Sequence, residues 1–201
     1  MRQCVGHIGQ NKLNHMWVNI AKLLGSSLVI LIVLGGCESG LHDGFEPGKR
    51  AKDFTLMVYQ GEDIVGGSEI QFKDIVAKDL PIVLNFWAAL CPPCKAEMPE
   101  LQNMHDEYKG KVIILGLDVG KFSGLGSSRQ GRALLSEVGV TYPAGTTENA
   151  QIMDDYEILG MPTTLFIHSN GYIQRTWIGS LPSDKMHELV ENLIGTSDNL
   201  D

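Results

Sequence analysis

The chain has 201 residues, 43% hydrophobic and 20% charged, with 23 Gly and 8 Pro and no block of like charge. That length suits one globular domain with appendages and excludes collagen, mucin-like stalks and wholesale disorder. Sixteen Lys+Arg against 24 Asp+Glu give a net charge of -8; without a basic stripe to neutralise phosphates, nucleic acid is not an expected partner.

Arg2, Lys12 and Lys22 are the only charges before Glu38, and residues 23–36 form an uncharged stretch of 14 centred on Leu28-Val29-Ile30-Leu31-Ile32-Val33-Leu34. A membrane-spanning helix needs about 20 apolar residues, whereas the apolar region of a signal peptide needs about 7–15 behind a positive segment. The second description fits better. Leu34-Gly35-Gly36-Cys37 then resembles a bacterial lipobox, in which the chain is cut before the Cys and a lipid is joined to its sulfur. Residues 1–36 are therefore expected to be a lipoprotein signal, Cys37 the acylated residue, and residues 37–50 a Gly-rich tether to a domain over 51–201. The competing reading is an uncleaved anchor helix. Both place the domain outside the cytoplasm, on the extracytoplasmic face of the membrane. Residues 16–36 have the length of an ordinary lipoprotein signal, which makes Met16 the expected initiator. Without residues 1–36 the chain keeps 13 Lys+Arg against 24 Asp+Glu, a net of -11.

In chain order, residues 53–58 read as a short strand and a Gly-rich turn leads to another around 70–72. Residues 81–87 (PIVLNFW) are a continuous apolar run with β-branched members, which predicts a strand buried on both faces. Residues 92–108 have helical spacing, with Met98, Leu101, Met104 or His105, and Tyr108 on one stripe. A second buried strand is predicted over 111–118, a helix over 129–138 ended by Gly139, and a third helix over 150–159 stopped by Gly160. Strands over 163–168 and 172–178 are joined by Asn170-Gly171, a strong hairpin signal. Ser183 is placed to cap a last helix to Ile194, with Asp184 in its first turn. The order β-β-β-α-β-α-α-β-β-α predicts an α/β fold: a mixed sheet with helices on both faces.

Of the four Cys, at 4, 37, 91 and 94, the first leaves with the signal and the second is consumed by lipid. The remaining pair is a CxxC, Cys91-Pro92-Pro93-Cys94, between a buried strand and a helix. A helix N-terminus carries partial positive charge and free N–H groups, which stabilise a thiolate on the first Cys. The second Cys can reach back and close a small ring, so the pair is equipped for thiol-disulfide exchange. Three other readings compete. A zinc site needs further ligands at knuckle spacing, but there is no second CxxC, and His42, His105, His168 and His187 are scattered. A purely structural disulfide across so short a loop removes little unfolded-state entropy. A peroxidase needs only one nucleophilic Cys. No metal and no cofactor are expected.

Asn85-Phe86-Trp87-Ala88-Ala89-Leu90-Cys91-Pro92-Pro93-Cys94-Lys95-Ala96-Glu97-Met98-Pro99, with Gly160-Met161-Pro162-Thr163-Thr164-Leu165-Phe166 some 70 residues on, resembles the thioredoxin superfamily, and within it the membrane-anchored ResA/TlpA branch. The likeness covers residues 51 to about 195. It implies a thioredoxin-like fold with an N-terminal β-extension, and a cis Pro162 facing the CxxC. It also implies that the Met161 backbone pairs with the substrate chain like an added strand; without the CxxC, Pro162 would read as an ordinary strand-edge Pro.

Departures carry information. The buried acid that thioredoxin uses as proton acceptor is replaced here by Asn85. Glu97 instead stands where ResA-like enzymes carry a Glu three residues past the second Cys. One helical turn from Cys94, it could exchange a proton with the thiols if desolvated; the competing reading is a solvated surface Glu. Leu90 replaces the family's usual Trp, which alters the docking surface but no reacting group. Pro92 and Pro93 lack N–H groups, so of the nearest amides only that of Cys94 and those beyond can stabilise a Cys91 thiolate. The expected couple is a reducing one. Lys95 reads as a solvated helix Lys, and Val83, Phe86, Trp87 and Phe166 as packing.

The combined expectation is a lipid-anchored, extracytoplasmic enzyme that reduces protein disulfides. The resemblance implies a membrane thiol-electron donor as its source of electrons and apocytochromes c as clients. The alternative from another class is a non-catalytic copper or haem chaperone using Cys91, Cys94 and His168 as ligands; peroxide reduction is a lesser alternative.

Overall fold

The computed structural model describes residues 48–197; the expected signal peptide, Cys37 and most of the expected tether lie outside the described residues. Seven strands form one sheet. They are β1 (Thr55–Gln60), β2 (Glu69–Gln71), β3 (Ile82–Trp87), β4 (Ile113–Asp118), β5 (Ala144–Thr146), β6 (Thr163–Ile167) and β7 (Ile173–Ile178), in the spatial order β2-β1-β5-β4-β3-β6-β7. β3, β4 and β5 run parallel, and the pairs β2–β1, β1–β5, β3–β6 and β6–β7 are antiparallel. The mixed sheet is the expected one, and the N-terminal extension is its β1–β2 edge. The helices are α1 (Glu62–Val65), α2 (Phe72–Val76), α3 (Pro92–Glu107), α4 (Gly120–Ser123), α5 (Ser128–Val138), α6 (Ile152–Asp155) and α7 (Ser183–Ser197).

β3 lies inside the sheet between β4 and β6, and all six of its side chains are buried, as a strand covered on both faces requires. Its residues alternate between two apolar layers. Val83 and Trp87 join Met98, Leu101 and Met104 of α3, Leu134 and Leu135 of α5, and Met186, Leu189, Val190 and Leu193 of α7. Ile82, Leu84 and Phe86 join Phe72 and Ile75 of α2, Ile152 of α6 and Tyr156. Burying a side chain of this size stabilises the fold by about 1.5–3 kcal/mol, so the stripe Met98, Leu101, Met104, Tyr108 fixes α3 against the sheet. α5 ends as its sequence predicts, with Gly139, at φ 77°, closing the C-terminus by its N–H on Leu135 O; its start is a capping box of Ser127 and Gln130.

The structure departs from the expected elements in five places, for identifiable reasons. The helix predicted over 150–159 is one turn, because Tyr156 turns inward to donate to Lys52 O and Glu157 adopts φ 51°. β5 carries no strand signal in the sequence because Ala144-Gly145-Thr146 has no apolar pattern. It consists of small residues because a Cβ at Gly145 would stand 2.4 Å from Met57 O on the neighbouring strand. The first strand is shifted two residues onward, and Phe72 opens α2 instead of ending a strand. Ser183 is the first residue of α7, and its hydroxyl donates to Glu100 of α3 at 2.7 Å, so it is not the cap.

Candidate active site

β3 ends at Trp87, the chain turns through Ala88-Ala89-Leu90, and Cys91 stands as the N-cap of α3. Cys91 and Cys94 are joined by a disulfide. Pro92 and Pro93 occupy the first helical positions, where a missing N–H costs nothing. The Cys94 N–H points at Cys91 Sγ from 3.3 Å, which is the amide that the two prolines leave available. The sulfurs pack in the layer that holds Trp87, Met98 and Phe166. Cys91 is 5% exposed and Cys94 2%, so both members of the oxidised pair are buried and Cys91 is the more open of the two. Pro92 and Pro93 are exposed, and Leu90 is 56% exposed, so the departure from Trp leaves an apolar side chain at the surface.

Glu97 lies one turn past Cys94 and is buried, with 5% exposure, which rules out the solvated reading. Its Oε1 accepts from Asn85 Nδ2 at 3.0 Å and its Oε2 from the Leu181 N–H at 2.9 Å. Asn85 also donates to Thr164 Oγ1 at 2.9 Å. Desolvation by burial pushes the Glu97 carboxyl up to about 7, against the opposing pull of the hydrogen bonds from Leu181, Thr164 and Asn85. A carboxyl so placed holds or releases a proton near neutrality, one helical turn from Cys94. The resemblance to the thioredoxin superfamily pointed to Glu97 and Asn85. Thr164 is recognisable only as part of the motif around Pro162, and Leu181 had no signal because it contributes its backbone.

The Met161–Pro162 peptide is cis. Pro162 directly precedes β6, whose Thr163 pairs with Phe86, so it sits at the end of the sheet where β3 delivers the CxxC. Pro162 is buried, Met161 is half-buried, and Leu159 nearby in the chain is 81% exposed. Lys95 is drawn to Glu137 at 2.6 Å, in keeping with a solvated helix Lys. His168 does not join the site. It follows Ile167, which pairs with Ile82 at the far end of β3, about 16 Å of strand from Trp87. Among the described residues no group of three or more His, Cys, Asp or Glu is arranged to hold a metal ion.

A CxxC disulfide capping a helix, a buried carboxyl one turn on and a cis-Pro before the adjoining strand define a thioredoxin-like thiol-disulfide oxidoreductase. The chain belongs to the AhpC/TSA family, which residues 47–176 match. It is 32% identical over 196 residues to the thiol-disulfide oxidoreductase ResA of Oceanobacillus iheyensis, covering 92% of this chain and 96% of that one. It is 30% identical over 148 residues to the thioredoxin-like protein YneN of Bacillus subtilis, covering 74% and 81%. Among solved structures it is similar to a thiol:disulfide interchange protein, DsbE, of Chlorobium tepidum. The TM-score is 0.62 at 22% identity, with 75% of this chain and 99% of that one covered.

Proposed function

We propose that the protein reduces disulfides of polypeptide clients outside the cytoplasm, held to the membrane by a lipid on Cys37. The observation that carries this reading is that Cys91, joined to Cys94, is the N-cap of α3 and that Glu97, one turn past Cys94 on the same helix, is buried. In the reduced enzyme the Cys91 thiolate attacks one client sulfur, forming a mixed disulfide and releasing the other client sulfur as a thiolate. Cys94, losing its proton toward Glu97, attacks Cys91 Sγ. The second client thiolate leaves and the 91–94 disulfide closes. Two electrons pass to the client, both of its sulfurs end as thiols, and a membrane thiol donor restores the dithiol. Met161 and Pro162 form the ledge against which the client backbone lies, in the manner of an added strand. Apocytochromes c, whose paired cysteines must be reduced before haem is joined, are the clients in best agreement with the ResA likeness.

Insulin reduction tests the reading. The reduced protein turns over with a rate abolished by Cys91→Ser; stoichiometric copper or zinc binding with negligible turnover would instead favour the chaperone.

A further inference from the structure

Asp118 ends β4, directly beside Trp87 in the parallel ladder, and is 2% exposed. Nothing in the exchange chemistry above uses it. Its Oδ2 accepts from the Tyr59 hydroxyl at 3.2 Å, and its Oδ1 accepts from the Gly120 N–H at 2.9 Å. That second bond begins a chain of three. Gly120 O accepts from Leu125 N at 2.9 Å, and Leu125 O accepts from Leu90 N at 2.8 Å. Leu90 immediately precedes Cys91. A buried carboxyl is thus tied, through one short loop, to the residue before the nucleophile.

Two glycines bring that loop close. A Cβ at Gly120 would stand 3.1 Å from Asp118 Oδ1, 3.2 Å from Leu125 O and 3.3 Å from Ala88 Cβ, and one at Gly126 would meet Ala89 Cβ at 2.9 Å. The loop therefore lies flat on the Ala88-Ala89-Leu90 turn, and its register is set at the Asp118 end. Val119 N, donating to Trp87 O at 2.9 Å, holds the intervening residue in line. A buried carboxylate is costly without donors, and of the two donors to Asp118 the Gly120 N–H is the one that leads toward Cys91; burial raises its pKa while the Gly120 N–H and the Tyr59 hydroxyl pull it down.

We propose that Asp118 is a positioning residue for thiol-disulfide exchange: through Gly120 and Leu125 it fixes the Leu90 amide, and with it the turn that presents Cys91 Sγ to a client. This rests on the exchange reading above, and small displacements of a reacting group carry large rate costs.

The test uses the full chain with Asp118→Ala, Gly120→Ala, Asp118→Asn and Tyr59→Phe. Two quantities are read: kcat/KM for insulin, and the pH midpoint of Cys91 alkylation by iodoacetamide, the latter in the Cys94→Ala background. Asp118→Ala and Gly120→Ala are expected to lower kcat/KM by about tenfold and to move the alkylation midpoint by about half a unit or more. Asp118→Asn, whose amide oxygen still accepts from Gly120, restores both. Tyr59→Phe, which removes only the other bond, changes neither. The proposal is overturned if Asp118→Ala and Gly120→Ala keep the midpoint and stay within about twofold in kcat/KM, whatever happens to their melting temperatures. Should Asp118→Ala fail to fold, Gly120→Ala decides. Failure of the wild type itself to reduce insulin would count against the functional reading, and the alkylation midpoints would still decide the role of Asp118.

Discussion

Asn85 and Glu97 meet between β3 and α3, with Asn85 Nδ2 donating to Glu97 Oε1 at 3.0 Å. The strand position therefore carries the donor and the helix position the acid. Thr164 of β6 and the Leu181 amide complete the surroundings, so this carboxyl ties together α3, β3, β6 and the segment leading into α7.

The raised pKa of Glu97 makes stability depend on pH in a definite direction. Below about 4.5 the carboxyl is neutral in both folded and unfolded chains and contributes nothing. As pH rises toward about 7 the unfolded chain gives up its proton first, so native stability falls, and above about 7 the cost is constant. The upper size of that cost is about 3 kcal/mol, at about 1.4 kcal/mol per pKa unit. Glu97→Gln should flatten the stability curve between these limits in urea titrations and remove the inflection near 7 from the pH profile of exchange. A variant curve parallel to wild type would show that Glu97 titrates normally.

Asn85→Asp would set two carboxyls about 3 Å apart, and both cannot ionise cheaply. Denaturation should show a loss of about 2–3 kcal/mol above pH 8 that shrinks toward pH 5, where the pair shares a proton. A loss of the same size at both pH values would contradict the contact.

With Pro92 and Pro93 contributing no N–H, only the Cys94 amide is aimed at Cys91 Sγ. The Cys91 pKa, read from thiolate absorbance of Cys94→Ala, should lie nearer the unperturbed ~8.5 than the ~3.5 of the most acidic superfamily thiols. Pro93→Ala, which returns one amide, should lower it. A value below about 5 in the parent, or no change in the variant, refutes the argument.

Gly131 sits inside α5, where helix propensity alone favours Ala by about 1 kcal/mol. A Cβ there would stand 2.2 Å from Asp118 Oδ2 and 3.4 Å from the Trp87 ring. Gly131→Ala should therefore lower stability by about 1–3 kcal/mol, or roughly 2–4 °C in Tm per kcal/mol. A raised Tm would mean that α5 does not approach β4 this closely.

The sequence was most legible where one physical signal dominated. The apolar run of β3 predicted a strand covered on both faces, the stripe through Met98, Leu101 and Tyr108 predicted the buried side of α3, and Gly139 marked the end of α5. Glu97 and Asn85 could be singled out through the resemblance to the thioredoxin superfamily, which assigns both positions a role. What could not be read was closeness between distant segments. β5 owes its small residues to Met57 on the next strand, the helix at 150–159 is cut short by the inward turn of Tyr156, and Leu181 acts through a backbone amide that every residue but proline has. His168 illustrates the reverse error, since composition offers it as a ligand and strand register carries it to the far end of β3. The cover over Cys91 likewise comes from side chains of several elements and leaves no local mark.

The central claim is that Cys91, despite its small exposure, is the sulfur that attacks. Incubating full-length Cys94→Ala with insulin and reading intact masses tests it directly. The account predicts a covalent adduct on Cys91, released by dithiothreitol and missing in Cys91→Ser. If Cys94→Ala stays free of adduct while Cys91→Ser forms one through Cys94, the assignment of the attacking sulfur is wrong.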